Sequence, residues 1–134
     1  MQNKSMAEVV FAPNLYLRDV AAGIRFYQQA FDAIEVRRFP NDDGSVHVAE
    51  LQLGDALFHL HEEVSRVREL SPQTLNGTSV ELGLFVADPQ AVYAHAIAAG
   101  ATEISPVQDY DYGYRQGTFA DPFGHHWTVQ QKLD

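Results

Sequence analysis

Residues 118–130, TFADPFGHHWTVQ, predict a strand, a tight turn and a second strand. The Asp-Pro pair at 121–122 and Gly124 favour the turn, because proline fixes φ and glycine accepts the positive φ of a chain reversal. After the turn, Trp127 and Val129 alternate with polar residues, so one face of this strand meets a core. The polar opposite face indicates that the strand lines a cavity.

The chain around this stretch repeats one order of elements twice. The first half predicts strands over residues 11–17, 34–39, 46–53 and 56–61, with a helix from the N-cap residue Asp19 to about Phe31. The second half predicts strands over residues 80–86 and 102–107, two more within 116–130, and a helix from Asp88-Pro89 to Gly100. Matching residues lie about 68 to 70 positions apart and include Ile24 with Val92, Ala30 with Ala98, Ala33 with Ala101, Glu35 with Glu103 and Gly54 with Gly124. Such a repeat is more specific than any single motif.

Residues 1–61 therefore form a first β-α-β-β-β module, and residues 80–134 form a second. Residues 62–79 are polar and rich in turn formers, so they predict a linker with one helical turn near residues 64–70. A single module leaves a sheet edge open, and two modules can pair their edges and close a cup. The length fits one compact domain.

The turn motif D-P-F-G-H-H-W, the helix opening R-D-V-A-A-G-I-R-F-Y at residues 18–27 and the internal repeat together resemble the vicinal oxygen chelate superfamily. That superfamily includes glyoxalase I, bleomycin-resistance and fosfomycin-resistance proteins and extradiol dioxygenases, and the ending is most similar to its D-P-F-G-x-x-W subgroup. The resemblance covers roughly residues 12–130. It implies an α+β fold in which two β-α-β-β-β modules form a curled mixed sheet cup with the helices outside.

Composition narrows the partners of the chain. The formal net charge is −9, which disfavours nucleic acid as a partner. A negative surface attracts small cations, and the alternative is that the charge simply keeps the protein in solution. There is no cysteine, so disulfides and thiolate chemistry are excluded. No apolar run has the length of a signal peptide or a membrane span, so we expect a cytoplasmic protein that does not bind membranes.

Strand alternation predicts which side chains face the cup. The inward-pointing residues are Asn14, Tyr16, His59, His61, Glu81, Gly83, Phe85, His126, Thr128 and Gln130. Their strand neighbours, Leu82, Leu84, Val86, Trp127 and Val129, are expected to be buried against the helices. We therefore predict that the cup binds a small molecule through Asn14, Tyr16, His61, Phe85, Thr128 and Gln130.

The resemblance also implies positions for a metal. Metal-using members of the superfamily carry one ligand on the first and last strand of each module, and these positions correspond to Ala12, His59, Glu81 and Thr128. Alanine cannot ligate a metal, and threonine would be an unusual ligand. His61 and Gln130 lie one pleat along on the same face and would substitute if the register slipped. The sequence therefore leaves the metal, any other cofactor and the question of catalysis open.

Glu81 and His59 are the candidate catalytic residues. Glu81 is flanked by Val80 and Leu82, so its carboxylate is expected either to be desolvated and suited to a general base, or to pair with a nearby His or Arg. We expect His59 to face Glu81 across the same cavity, where the two would share a ligand, a water molecule or a proton.

The segment 110–115 places three tyrosines, Tyr110, Tyr112 and Tyr114, within five residues. A tyrosine offers flat apolar area and a hydroxyl, which suits a lid over a planar ligand, and we assign Tyr112 and Tyr114 to ligand binding. The alternative is a dimer contact, since members of the resembling superfamily commonly pair. Exposed sheet edges also favour a homodimer.

Two functions remain. The first is a binding protein of the antibiotic-resistance type, which would hold a small aromatic or cationic molecule without a complete set of metal ligands. The second is a metal-dependent lyase, isomerase or dioxygenase that uses His59 and Glu81 on a substrate with vicinal oxygens. A fold that hosts both cannot decide between them.

Overall fold

Each half of the chain folds as β-α-β-β-β in the computed structural model, which describes residues 8–134. The first half comprises β1 (Asn14–Leu17), α1 (Val20–Phe31), β2 (Ile34–Pro40), β3 (Val46–Leu53) and β4 (Ala56–Glu62). A 3₁₀ turn (Ser65–Val67) and the short helix α2 (Pro72–Leu75) connect the halves. The second half comprises β5 (Glu81–Phe85), α3 (Pro89–Ala98), β6 (Thr102–Tyr110), β7 (Tyr114–Ala120) and β8 (His126–Lys132).

The strands form two four-stranded mixed sheets. Sheet 1 has the order β1-β4-β3-β2, and sheet 2 has the order β5-β8-β7-β6. The first strand of each module runs parallel to the last, and the remaining pairs are antiparallel. This arrangement confirms the predicted α+β class and the repeat. The two sheets stay separate within residues 8–134, so the edge pairing that would close one cup does not occur inside one chain.

Both long helices begin where their caps were predicted. The Oδ1 atom of Asp19 accepts a hydrogen bond of 3.1 Å from the backbone N–H of Ala22, and Asp88 accepts one of 3.1 Å from Ala91. These carboxylates satisfy N–H groups that have no partner within the first helical turn. Pro89 occupies the first turn of α3, where its missing N–H costs nothing.

One core joins the two modules, and α1 lies at its centre. Tyr27 is fully buried, with its ring 5.3 Å from Phe58 of sheet 1 and 5.5 Å from Trp127 of sheet 2. Phe31, one turn along, lies 6.1 Å from Phe119 of β7, and α1 also packs against α3. Because α1 contacts the helix-facing side of both sheets, the opposite face of each sheet points away from this core.

Asp121 fixes the turn between β7 and β8. Its carboxylate is 4% exposed and accepts hydrogen bonds from the Tyr27 hydroxyl, from Trp127 Nε1 at 2.8 Å and from the backbone N–H groups of Phe123 and His125 at 3.0 Å. Burial, and then the charge of Asp121, raise the pKa of Tyr27 well above its usual value. This turn therefore locks sheet 2 onto α1 of the other module.

The register of the last strand is confirmed. Trp127 and Val129 are buried, and Leu82, Leu84 and Val86 are partly buried against the same core. Several bounds differ from the predictions, and the largest differences are that β1 begins at Asn14, that the connection contains α2 and that β6 extends to Tyr110. Within the described part of the chain, no helix is long and apolar enough to cross a membrane.

Candidate ligand-binding faces

The face of each sheet that does not pack on the helices is termed its outer face. On the outer face of sheet 1, strand pairing places Asn14 and Tyr16 of β1 beside His59 and His61 of β4. Glu50 of β3 lies directly opposite His59. The predicted set from the first module is therefore brought together, with Glu50 added to it.

Glu50 and His59 form the best-defined polar pair of sheet 1. His59 Nε2 lies 3.0 Å from Glu50 Oε2, and the two side chains are 23% and 25% exposed, respectively for Glu50 and His59. A carboxylate accepts hydrogen bonds, so in the neutral imidazole the proton is on Nε2 and Nδ1 is left as an acceptor. A carboxylate that orients an imidazole in this way is the geometry of a general base.

His61 and Tyr16 share the same face in edge-to-face contact, with ring centroids 5.6 Å apart. Burial, and then the nearby His59, lower the pKa of His61 below 6.5. Burial, followed by the Glu69 carboxylate, raises the pKa of Tyr16 above 10. Both groups are therefore neutral near pH 7, and an uncharged ring and phenol line this part of the face.

The outer face of sheet 2 carries a chain of hydroxyls that ends at a carboxylate. Thr128 Oγ1 donates to Glu81 Oε1 at 2.6 Å and lies 2.9 Å from Thr118 Oγ1. Glu81 is exposed, which corrects the expectation of a desolvated carboxylate. Its apolar neighbours fail to bury it, because alternate residues of a strand point to opposite faces.

A row of aromatic rings lies beside this chain. The ring of Phe85 is 6.0 Å from that of Tyr114, Tyr114 is 6.0 Å from Tyr112, and Tyr112 stacks on Tyr110 at 5.2 Å. Phe85 is 66% exposed and Tyr112 is 60% exposed. The row Phe85-Tyr114-Tyr112-Tyr110 is termed the aromatic row.

Two amides bridge the aromatic row to the centre of the face. The Tyr112 hydroxyl donates to Gln116 Oε1, and Gln116 Nε2 donates to Gln130 Oε1 at 3.1 Å. Gln130 Nε2 then remains as a donor beside Gly83, where a Cβ would come within 3.0 Å of it. Gly83 has no side chain, so the backbone is uncovered between Glu81 and Phe85 on the same strand.

A half-open cleft of about 340 Å³ follows the seam between the modules. Its walls are mainly apolar and include Phe11, Leu15, Leu57, Phe58, Leu82 and Trp127. Glu81 is the one charged residue among the described residues that line it.

The two candidate catalytic residues belong to separate hydrogen-bonded pairs. His59 bonds to Glu50 within sheet 1, and Glu81 bonds to Thr128 within sheet 2. Among the described residues, the seam cleft includes Glu81 and does not include His59. A cavity shared by Glu81 and His59 therefore stays a prediction.

Sequence reasoning did not single out Glu50, Thr118 or Gln116 as site residues. Alternation already placed Glu50 on the side of β3 away from Ala49 and Leu51. What was missing was its cross-strand partner, which the short β3–β4 turn determines.

The donor atoms of residues 8–134 do not assemble a metal site within one chain. Within residues 8–134, no three or more His, Asp or Glu side chains form a group that could hold a metal ion. At the four positions implied by the resemblance, Ala12 has no donor and the hydroxyl proton of Thr128 is engaged by Glu81.

Two β-α-β-β-β modules with open polar sheet faces define a class of α+β proteins, and comparison with known proteins identifies the family. The chain belongs to the Glyoxalase/Bleomycin resistance protein/Dioxygenase superfamily, whose family profile matches residues 8–129. A protein of Mycobacterium tuberculosis, Uncharacterized protein Rv0887c, is 38% identical over 129 residues, which cover 94% of this chain and 76% of the relative.

Solved structures share the same fold. The gene product of Arabidopsis thaliana At5g48480 superposes with a TM-score of 0.73 at 27% identity, over 92% of this chain and 98% of that one. TioX from Micromonospora sp. ML1 gives a TM-score of 0.74 at 23% identity, over 93% and 100%. The fosfomycin resistance protein FosX from Mesorhizobium loti gives 0.68 at 15% identity, over 96% and 95%. The last two likenesses concern the fold alone.

Proposed function

We propose that the protein binds a small aromatic or cationic molecule on the outer faces of its sheets, without a complete set of metal ligands. The aromatic row carries the proposal, because its exposed rings adjoin ordered polar side chains on a face that covers no core. Flat rings beside a few oriented polar groups are typical of small-molecule sites. A cytoplasmic location is part of the proposal.

A homodimer would complete the site. The two sheets do not pair with each other within residues 8–134, and in the proposed dimer sheet 1 of one copy lies opposite sheet 2 of the other around a shared ligand. Phe11, Val80 and Phe85 are 87%, 58% and 66% exposed near the free edges β1 and β5, which is apolar surface that a second copy would cover.

The dimer proposal is tested by sedimentation. Analytical ultracentrifugation at micromolar concentration is expected to give twice the mass of 15.0 kDa. A Phe11→Ser, Val80→Ser double variant is expected to give monomers, and Val36→Ser, which alters an exposed apolar residue on β2, serves as the matched control. A wild-type protein that sediments only as a monomer would contradict the completed site.

The ligand proposal is tested by NMR titration. A set of aromatic amines, phenols and carboxylic acids is added to ¹⁵N-labelled protein, and amide shift changes are mapped onto the fold. We expect changes at Gly83, Phe85, Tyr114 and Gln130. Tyr112→Ala is expected to weaken binding, and Tyr93→Phe, which removes from the helix side a hydroxyl that donates to the Thr118 carbonyl, is expected to leave it unchanged. Shift changes confined to the helix side would contradict the proposal.

The metal-dependent alternative is decided by elemental analysis of protein purified without chelator or metal-affinity tag. The proposed function predicts no stoichiometric transition metal. A bound metal that is lost on both His59→Ala and Glu81→Ala would instead support a lyase, isomerase or dioxygenase with donors from two copies.

A further inference from the structure

The hydroxyl chain on sheet 2 has a fixed direction. A threonine hydroxyl has one proton, and that of Thr128 is donated to Glu81 at 2.6 Å. The contact of 2.9 Å between Thr118 and Thr128 must therefore be a donation by Thr118. Both protons point toward Glu81, so the acceptors that this hydroxyl chain leaves for a ligand are Glu81 Oε2 and the lone pairs of Thr118.

Glu81 has no cationic partner among residues 8–134. Five other carboxylates lie within 4.0 Å of a basic side chain, and the pairs are Glu35–Arg38, Glu50–His59, Glu62–His47, Glu63–Arg18 and Asp109–Arg115. His126 is the strand neighbour of Glu81 and makes no such pair with it, and Lys132 lies at the other end of β8. Within the described part of the chain, the Glu81 carboxylate therefore accepts a hydrogen bond from Thr128 and forms no ion pair.

The surroundings of Glu81 suit an organic cation rather than a hydrated ion. Apolar walls of the seam cleft adjoin the carboxylate on one side. On the other side of the carboxylate lies Gly83, which has no side chain, and beyond it Phe85. The Cα atoms of Glu81 and Phe85 are four residues, or about 13 Å, apart along β5, at a rise of about 3.3 Å per residue. The faces of Phe85 and Tyr114 attract positive charge, and the net charge of −9 raises the local concentration of cations.

We infer that the ligand is an aryl-alkyl amine or a related organic cation, whose N–H donors bind Glu81 and Thr118 while its ring stacks on Phe85 and Tyr114. The inference rests on the proposed function and adds the chemical class of the ligand. A flexible linker of a few carbon atoms across Gly83 would join the two ends.

Three probes of matched shape test this inference: 4-phenylbutylamine, 4-phenyl-1-butanol and 5-phenylvalerate, which are cationic, neutral and anionic at pH 7. Each is titrated into ¹⁵N-labelled protein in low salt with EDTA present. We expect the amine to bind about tenfold more tightly than the alcohol, because a hydrogen bond to a charged group contributes more than a neutral one. The anion is expected to bind most weakly.

Glu81→Gln is expected to abolish the preference for the amine while leaving the alcohol unaffected. Glutamine keeps the acceptor for Thr128, so the fold is retained. Glu103→Gln is the matched control: it removes one negative charge from the same sheet, at a residue paired with Phe119 on the helix-facing side. The control is expected to keep the tenfold preference.

The outcomes separate the two proposals. Equal binding of all three probes at the aromatic row, unchanged by Glu81→Gln, would overturn the cation inference and leave the proposed function standing. Absence of any shift change on the outer face would overturn both. Amine binding that is seen only in a parallel titration without EDTA would assign Glu81 to a metal and also overturn the inference.

Discussion

The two modules place different pairs at the same position of their outer faces. Where the third strand meets the fourth, sheet 1 has Glu50 opposite His59, and sheet 2 has Thr118 opposite Thr128. The distances are similar, 3.0 Å and 2.9 Å. The repeat has kept the backbone geometry and changed the chemistry, from a titratable pair to two hydroxyls.

The first strand of each module explains the difference. In the second module Glu81 begins β5 and accepts a hydrogen bond from the Thr128 hydroxyl. The corresponding residue of the first module is Ala12, which has no polar group, so Glu50 supplies the carboxylate from the other side. Each face therefore has one orienting carboxylate, which directs an imidazole on sheet 1 and a hydroxyl chain on sheet 2.

The largest expected effect compares the β3–β4 turn of the first module with the equivalent β7–β8 turn of the second, and tests whether they contribute equally to stability. Asp121→Asn would turn an NH₂ group toward the Tyr27 and Trp127 donors and leave them without an acceptor. We expect a loss of about 3 kcal/mol in the free energy of unfolding by urea, as for other buried charged networks. Asp55→Asn, in the exposed turn of the first module, is expected to change it by less than about 0.5 kcal/mol. Equal losses would show that Asp121 does not lock the modules together.

The next effect compares the stability cost of adding a methyl group to each face of sheet 2, at Gly117 on the helix-facing side and at Gly83 on the outer face. A Cβ at Gly117 would lie 2.6 Å from Val107 Cγ2 and 2.9 Å from its backbone nitrogen, so Gly117→Ala is expected to cost about 2 kcal/mol. A Cβ at Gly83 would meet only the movable Gln130 amide, so Gly83→Ala is expected to be within about 0.5 kcal/mol of neutral. Urea denaturation measures both, and a reversed order would mean that the faces are wrongly assigned.

Local patterns were sufficient for most of the fold. The bounds of β3, the N-caps Asp19 and Asp88 and the burial of Trp127 follow from alternation and capping, which depend on neighbouring residues. The helix α2 was missed because a single turn has no apolar period, and its cap, Ser71, lies in a polar stretch.

The arrangement of the site was less predictable. The strand predicted over residues 102–107 was too short, since β6 extends to Tyr110, whose ring stacks on that of Tyr112. The face of Glu81 was predicted and its exposure was not. Exposure depends on how α1 and the two sheets pack against one another, and such long-range packing leaves no local pattern.

A smaller effect concerns the acid sensitivity that His61 gives to sheet 1. The pKa of His61 is lower in the folded chain than its usual 6.5, chiefly because of burial and next because of His59. The unfolded chain then binds more protons, so this contribution is complete above pH 6.5 and is lost as the pH falls through the folded pKa. His61→Gln should flatten the fall in stability below pH 6.5, relative to wild type, whereas Gln130→Asn should not.

Direct titration of the His61 imidazole by NMR measures the cause of its lowered pKa. The midpoint of His61 is expected below pH 6.5, and His59→Gln should raise its pKa only in part, because burial is the larger cause. Full recovery in that variant would mean that the charge of His59, and not burial, is the main cause of the lowered pKa.

The smallest expected effect concerns the imidazole proton of His59. The carboxylate of Glu50 holds that proton on Nε2, at 3.0 Å, so ¹H–¹⁵N long-range correlation spectra above pH 7 should show a single Nε2–H tautomer. Glu50→Leu should give a mixture, because water then competes equally at both nitrogens. Glu50→Gln keeps an oxygen acceptor and should keep the tautomer. The free energy of unfolding should change by less than about 1 kcal/mol in either variant, since the pair is partly exposed. An unchanged tautomer in Glu50→Leu would mean that another group orients His59, and the parallel between Glu50 on sheet 1 and Glu81 on sheet 2 would fail.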